Sequence, residues 1–270
     1  MQGVSRGSQA HVRVALQSAL DSGADWARLS DDLFNFVAVM DSSHMLRRAL
    51  GDPSRSGDGK RALAARLLEG KSELATVEVV SESVAQRWSN EKDLPAALEE
   101  AAVEAQVAMA QAAGRADDVE EQLFRFERTV AGTPALREAL SDRRLPVERK
   151  LDVVQQLLAD KAHPETIRLA RQAVAAPRGR RFAQTVEFYL AVAERRRQQL
   201  SAVVTVATSL TAEQHDRLAA ALGRIYSTPV LLNVVLDPLV IGGIRVQIGD
   251  EVVDGTIVRR LDEARRLMGS

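Results

Sequence analysis

The 270-residue chain is 46% apolar, 27% charged and only 4% aromatic, which is enough apolar content for about two ordinary domains. Its 36 basic and 37 acidic residues leave a formal net charge of −1, which argues against a strongly basic nucleic-acid binder and against an acidic disordered tail. With no cysteine, disulfides, thiolate metal sites and cysteine nucleophiles are excluded.

The opening residues, Met1 to Ser8, lack the apolar core of a secretory signal. The best candidate for a spanning segment, Val230 to Ile248, is interrupted by Asn233, Asp237, Pro238, Gly242, Gly243 and Arg245. The expectation is a soluble, cytoplasmic protein with no direct membrane insertion. Val12, Ala15, Leu16, Ala19 and Leu20 then recur at helical spacing, and after a break at Ser22-Gly23 so do Leu29, Leu33, Phe36, Val37 and Met40. Gly51 to Ser54 and Ser56 to Gly59 read as loop. Lys60 to Leu68 and Thr76 to Trp88 read as helices. A long Ala-rich helix starts at Asp93-Leu94-Pro95, with Asp93 as N-cap and Pro95 in the first turn, and runs to Gly114. Further helices are expected at about Val119–Ala131, Pro134–Leu140, Pro146–Asp160, Pro164–Ala175 and Phe182–Leu200.

The pattern changes after Leu200. Ala202 to Thr208 is short and β-branched, as a strand should be. Thr211-x-x-Gln214 has the form of a capping box opening a helix that Pro229 ends after Tyr226. Val230 to Leu236, Gly243 to Ile248 and Glu251 to Val253 read as strands, the last two joined by a Gly249-Asp250 turn. Asp254-Gly255-Thr256 leads into a final amphipathic helix near Met268. The order β-α-β-β-β-α describes a small α+β domain.

Shifting the chain by 90 positions aligns it with itself. Leu33-Phe34-x-Phe36 falls on Leu123-Phe124-x-Phe126, and Leu46-Arg47-x-Ala49-Leu50-x-Asp52 falls on Leu136-Arg137-x-Ala139-Leu140-x-Asp142. Lys60, Lys71 and Thr76 fall on Lys150, Lys161 and Thr166, giving 15 identities over positions 33–85. Background matching gives roughly 3 to 5 on average amino-acid usage. The fold expected is mainly α: a tandemly duplicated helical bundle, 1–98 and 99–195, followed by an α+β domain at 196–270.

Little chemistry is visible. His11, His44, His163 and His215 lie far apart, and none has a second histidine at the spacing that puts two rings on one helix face. Gly59-Lys60 superficially resembles a phosphate loop, but position 54 is Ser and position 61 is Arg, so the segment reads as a helix connection. No dinucleotide fingerprint or nucleophile elbow occurs. The clusters Arg178-Gly179-Arg180-Arg181 and Arg195-Arg196-Arg197 read as solvated helix ends. Residues 196–270 carry 9 basic and 8 acidic side chains and no aromatic platform on their strands, which leaves no basis for nucleic-acid binding. The residues therefore point to no catalytic site, cofactor or metal.

The C-terminal signature is more specific. Asp237-Pro238-Leu239-Val240-Ile241-Gly242-Gly243, followed by Gly249-Asp250-x-Val252-x-Asp254-Gly255-Thr256, closely resembles the delta (oligomycin-sensitivity-conferring protein) family of F-type ATP synthases. Leu210-Thr211-x-x-Gln214 matches the same family's helix start, and Thr256 stands where the family usually has Ser. The resemblance covers about residues 100 to 270, and the extra bundle before it looks like the long actinobacterial form. It implies a non-catalytic peripheral-stalk subunit, peripheral on the cytoplasmic face of the cell membrane. A helical bundle would bind the N-terminal helices of the alpha subunits and the C-terminal domain would bind the b subunits, so that the head does not co-rotate with the shaft. The signature residues Asp237, Pro238, Gly242, Gly243, Gly249, Asp250, Asp254, Gly255 and Thr256 would then be structural members of the stalk-binding domain. From the residues alone, a helical adaptor of an unrelated complex shares the duplication and the lack of chemistry.

Overall fold

The computed structural model describes residues 3–142, 144–198, 200–226, 230–237, 243–248 and 251–254. Two units are distinguished, residues 1–194 and 195–270.

The first unit is helical: α1 (Gly3–Asp21), α2 (Trp26–Ser42), α3 (His44–Gly51), α4 (Gly57–Leu68), α5 (Leu74–Ala85), α6 (Asp93–Ala112), α7 (Ala116–Gly132), α8 (Pro134–Ser141), α9 (Val147–Leu158), α10 (Pro164–Ala175) and α11 (Phe182–Gln198). The 90-residue period of the sequence is also a period of the structure. Adding 90 to the bounds of α2, α3, α4 and α5 gives those of α7, α8, α9 and α10, and α1 maps onto α6 to within one residue. Side-chain devices repeat with it. Asp32 accepts from the Glu73 amide and the Thr76 hydroxyl, pinning the start of α5 to α2. Gln122 accepts from the His163 amide and the Thr166 hydroxyl, pinning α10 to α7 in the same way. Arg47 and Arg137 donate to carbonyls at the ends of α2 and α7. After α4 and α9 the chain turns through Gly70 at φ 68° and Asp160 at φ 60°, a left-handed turn that Gly adopts freely and Asp tolerates.

Several local readings change. Residues 44–51 form α3, capped by the Ser43 hydroxyl on the Leu46 amide, where only a loop beginning at Gly51 was expected in the first repeat. Gly57 and Gly59 lie in the first turn of α4, capped by Ser56. Gly57 suits a close approach, because a Cβ there would stand 3.2 Å from the Ala85 carbonyl oxygen. α5 stops at Ala85, three residues before Trp88, whose indole is buried and donates to the Ser83 carbonyl. Asp93 is the first residue of α6, not its N-cap, and it accepts from the Ser5 hydroxyl at 2.6 Å.

One apolar core runs from Val12 to Ala193 through both repeats. α6 is central to it: 15 of its 20 residues are buried, and it packs against α1, α2 and α5 of the first repeat and against α7 and α10 of the second. The position between residues 98 and 99 thus lies inside a continuous buried helix. Such a position requires a small or apolar surface wherever a neighbour packs closely. Ala97, Ala101, Ala102, Ala105 and Ala108 supply it, and the Ser30 hydroxyl reaches the Ala102 carbonyl at 2.9 Å.

The second unit has β1 (Leu200–Val206), α12 (Ala212–Tyr226), β2 (Val230–Leu236), β3 (Ile244–Ile248) and β4 (Glu251–Asp254). The sheet order is β2-β1-β3-β4, with β1 and β2 parallel across the α12 crossover and the other pairs antiparallel. The capping box forms, Thr211 and Gln214 each accepting from the other's amide. Ala202, Val204, Val206, Leu232, Val246 and Ile248 make the core with Leu222 of α12. The last expected helix and the Gly249-Asp250 turn lie outside the described residues. No helix among the described residues is long and apolar enough to cross a membrane.

Because α6 serves both repeats, Ala102→Leu should over-pack the core and lower stability by about 1–3 kcal/mol. Urea unfolding monitored separately in residues 26–85 and 116–175 should show the same loss in both.

Candidate interaction site and family

The signature residues in the described structure gather at one end of the sheet. The Asp237 amide donates to the Val206 carbonyl at 2.9 Å, continuing the β1–β2 pairing by one residue. Val206 is the register partner of both Leu236 and Ile244, so Asp237 and Gly243 stand on opposite sides of the end of β1. Gly243 has φ 86°, a conformation open to glycine and costly for other residues. Asp254 ends β4 opposite Arg245. Pro238, Gly242, Gly249, Asp250, Gly255 and Thr256 lie outside the described residues. The sheet face away from the core carries half-exposed Val203, Val235 and Val252 among exposed Arg245 and Gln247.

The arginine cluster after α10 corrects the reading of solvated helix ends. Arg178 has a side chain only 14% exposed, and it donates to Asp41 on α2 at 2.6 Å and to the Pro95 carbonyl and Glu99 on α6 at 3.1 and 2.7 Å. Arg180 also pairs with Glu99 and lies 4.8 Å over the Phe188 ring. Glu99 has a side chain only 2% exposed, so both arginines are needed to offset its desolvation. Burial works against the Arg178 charge, but Glu99 and Asp41 outweigh it and its pKa stays raised. Arg178 also holds φ 51°, a left-handed conformation that its five-donor fork keeps in place through these contacts. Nearby, Arg168 of α10 pairs with Asp31 of α2 and covers the Phe34 ring at 5.2 Å. These side chains fasten the second repeat onto the first.

Tyr189 of α11 is buried beside this cluster, and its hydroxyl has no hydrogen-bond partner among the described residues. Burial first, and then the Glu99 charge, push its phenol well above the ordinary tyrosine range. The phosphate-loop lookalike is also explained: Lys60 is buried and donates to the Gln86 carbonyl at 2.7 Å, so it is held by its own chain. Of the histidines, His44 faces Glu91 and His163 faces Asp118, each as a pair at the surface of a helix junction.

The model of the ATP synthase delta (OSCP) subunit family matches residues 103–268, the second repeat and the sheet unit together. The chain belongs to this family. The "ATP synthase subunit delta" of Kineococcus radiotolerans is 45% identical over 98% of this chain and 96% of its own length. That of Thermobifida fusca is 44% identical over 98% of each. That of Streptomyces griseus is 40% identical over 99% of each. Because these actinobacterial relatives align almost end to end, the first repeat belongs to their length as well as to this chain's.

Three outcomes test this description. Arg178→Met, by leaving the buried Glu99 with Arg180 alone, should cost about 3 kcal/mol, nearly unchanged between low and high salt because the pair is shielded from solvent. Gly243→Val should destabilise the sheet unit by about 1–2 kcal/mol or more, read by urea unfolding of β1 and β3 amides. The raised Tyr189 pKa favours the folded state fully below the unfolded pKa of about 10, and this contribution fades as pH rises through that value toward the folded one. An alkaline fall in stability that Tyr189→Phe weakens is therefore expected in pH-dependent melts.

Proposed function

We propose that this chain is the delta-type stator subunit of an F-type ATP synthase, a non-catalytic link in the peripheral stalk. The helical unit holds the N-terminal helices of the alpha subunits in grooves between helices, a common way for amphipathic helices to be recognised. The sheet unit, with its signature at the end of β1, holds the b subunits. The complex sits on the cytoplasmic face of the cell membrane, and this subunit is peripheral, without insertion and without a nucleic-acid partner. Its task is mechanical: it keeps the catalytic head from turning with the shaft while protons drive ATP synthesis.

The observation that carries this reading is the family match over residues 103–268, which includes the whole signature. The physical character of the helical unit supports it. A stator link must resist torque, and one core spanning both repeats, closed by buried ion pairs, gives a stiffer lever than two bundles on a loose tether.

The test is capture of ATP synthase subunits from native membranes by the tagged full-length chain and by Gly243→Val. The wild type should retain alpha and b subunits together, and the variant should keep alpha while losing b. Retention of no ATP synthase subunit by folded wild-type protein would overturn the proposal. Full b binding by a variant with a melted sheet unit would overturn the assignment of b to that unit.

A further inference from the structure

Each repeat carries a pair of phenylalanines, and only one of the pair has the same surroundings in both copies. Phe36 and Phe126 are core residues, each 4% exposed. Phe34 is 2% exposed, whereas its counterpart Phe124 is 54% exposed. The difference comes from the other repeat. Arg168 of α10 lays its guanidinium 5.2 Å from the centre of the Phe34 ring and pairs with Asp31, three residues before that ring on α2. Residues three apart share a helix face, so one arginine reaches both. The counterpart of Asp31 is Glu121, and α7 therefore keeps an acid and an aromatic ring at the same two positions.

Glu121 pairs with Arg125 on its own helix, and the two side chains are 57% and 73% exposed. So exposed a pair holds weakly and exchanges for a better partner at little cost. The second grip between the repeats, Arg178 on Asp41, has no equivalent here, because the counterpart of Asp41 is Ala131. The open face of α7 thus offers one seat, a carboxylate beside a ring. An arginine suits it, since a planar guanidinium donates to the carboxylate while its face covers the ring, which the point charge of a lysine does less well. A second copy of this chain does not supply that arginine. Stacked head to tail, it would set its α5 where α10 stands against α2, and at the place of Arg168 it carries the exposed Glu78. Two carboxylates would then meet, a repulsion that opposes open-ended stacking of the repeats.

We propose that the outer face of α7, centred on Phe124 and Glu121, docks an arginine-bearing helix of another ATP synthase subunit, its arginine seated as Arg168 is seated on Phe34 and Asp31. This rests on the stator reading above and adds to it a particular surface and the residue that fits it. The first repeat shows within the same chain what covers such a face: a helix that brings one guanidinium to both the acid and the ring.

The probe is the photo-crosslinking residue p-benzoylphenylalanine in place of Phe124, in the tagged full-length chain expressed in cells and irradiated in their native membranes. Mass spectrometry then maps the attachment point. One segment of another ATP synthase subunit should be joined, with an arginine within one helical turn of the joined residue. Glu121→Lys in the same chain should lower the cross-link yield by about threefold or more, Glu121→Asp should keep most of it, and Glu121→Arg combined with Glu at the mapped arginine should restore it. Both positions are exposed, so these variants should melt as the wild type does. Absence of any cross-link from a chain that still retains alpha and b subunits would overturn this inference and leave the stator reading standing. A cross-link to a second copy of the chain, or to a segment without an arginine, would overturn it as well. Retention of no ATP synthase subunit would overturn the stator reading, and this inference with it.

Discussion

The structure depends on one helix being buried from two sides at once. α6 ends the first repeat and begins the second, so it has no face to give to solvent over most of its length. Alanines let its neighbours approach closely, and apolar Leu94, Leu98, Val103 and Val107 fill the remaining space. Its carboxylates create the opposite demand. Glu99 and Glu100 are nearly buried, and a buried carboxylate is tolerated only with cations and donors around it. Arg13 and Gln9 meet Glu100 from the first repeat, and Arg178 and Arg180 meet Glu99 from the second. The same helix thus sets both the apolar and the ionic contacts that unite the helical unit.

This arrangement explains why the repeats are alike in some places and not in others. The turn at Gly70 and Asp160, the staples by Asp32 and Gln122, and the helix bounds repeat because each repeat must close its own helices. Phe34 and Phe124 share a position but not an environment. Phe34 lies under Arg168 of the second repeat, whereas Phe124, with no following repeat to cover it, is 54% exposed. Trp88 and Arg178 likewise share a position, and one plugs its own repeat while the other reaches across to the neighbour.

Much of this was legible in the residues. The 90-residue period, the long Ala-rich helix, the capping box at Thr211 and the succession of strands and helix from β1 to β4 all rest on local patterns that the structure keeps. The family signature was legible because a fixed spacing of Gly, Asp and Pro is rarer than an apolar period, and Gly243 shows at φ 86° one physical reason for a glycine there. What stayed hidden depends on tertiary partners. Arg178 and Arg180 look like a surface run until Asp41 and Glu99, 137 and 79–81 residues away in sequence, are seen beside them. α3 was obscured because Gly51 and Pro53 read as a loop, although Gly51 completes the last turn of that helix and the Ser43 cap marks its start.

The proposed stator role requires the two helical repeats to open together. Native-state hydrogen exchange of the full-length chain, followed through rising denaturant, measures this directly. Core amides of α2, α6 and α10 should merge into a single opening with one free energy and one denaturant dependence. Separate openings, with residues 26–85 exchanging at a free energy clearly below that of residues 116–175 or the reverse, would contradict it.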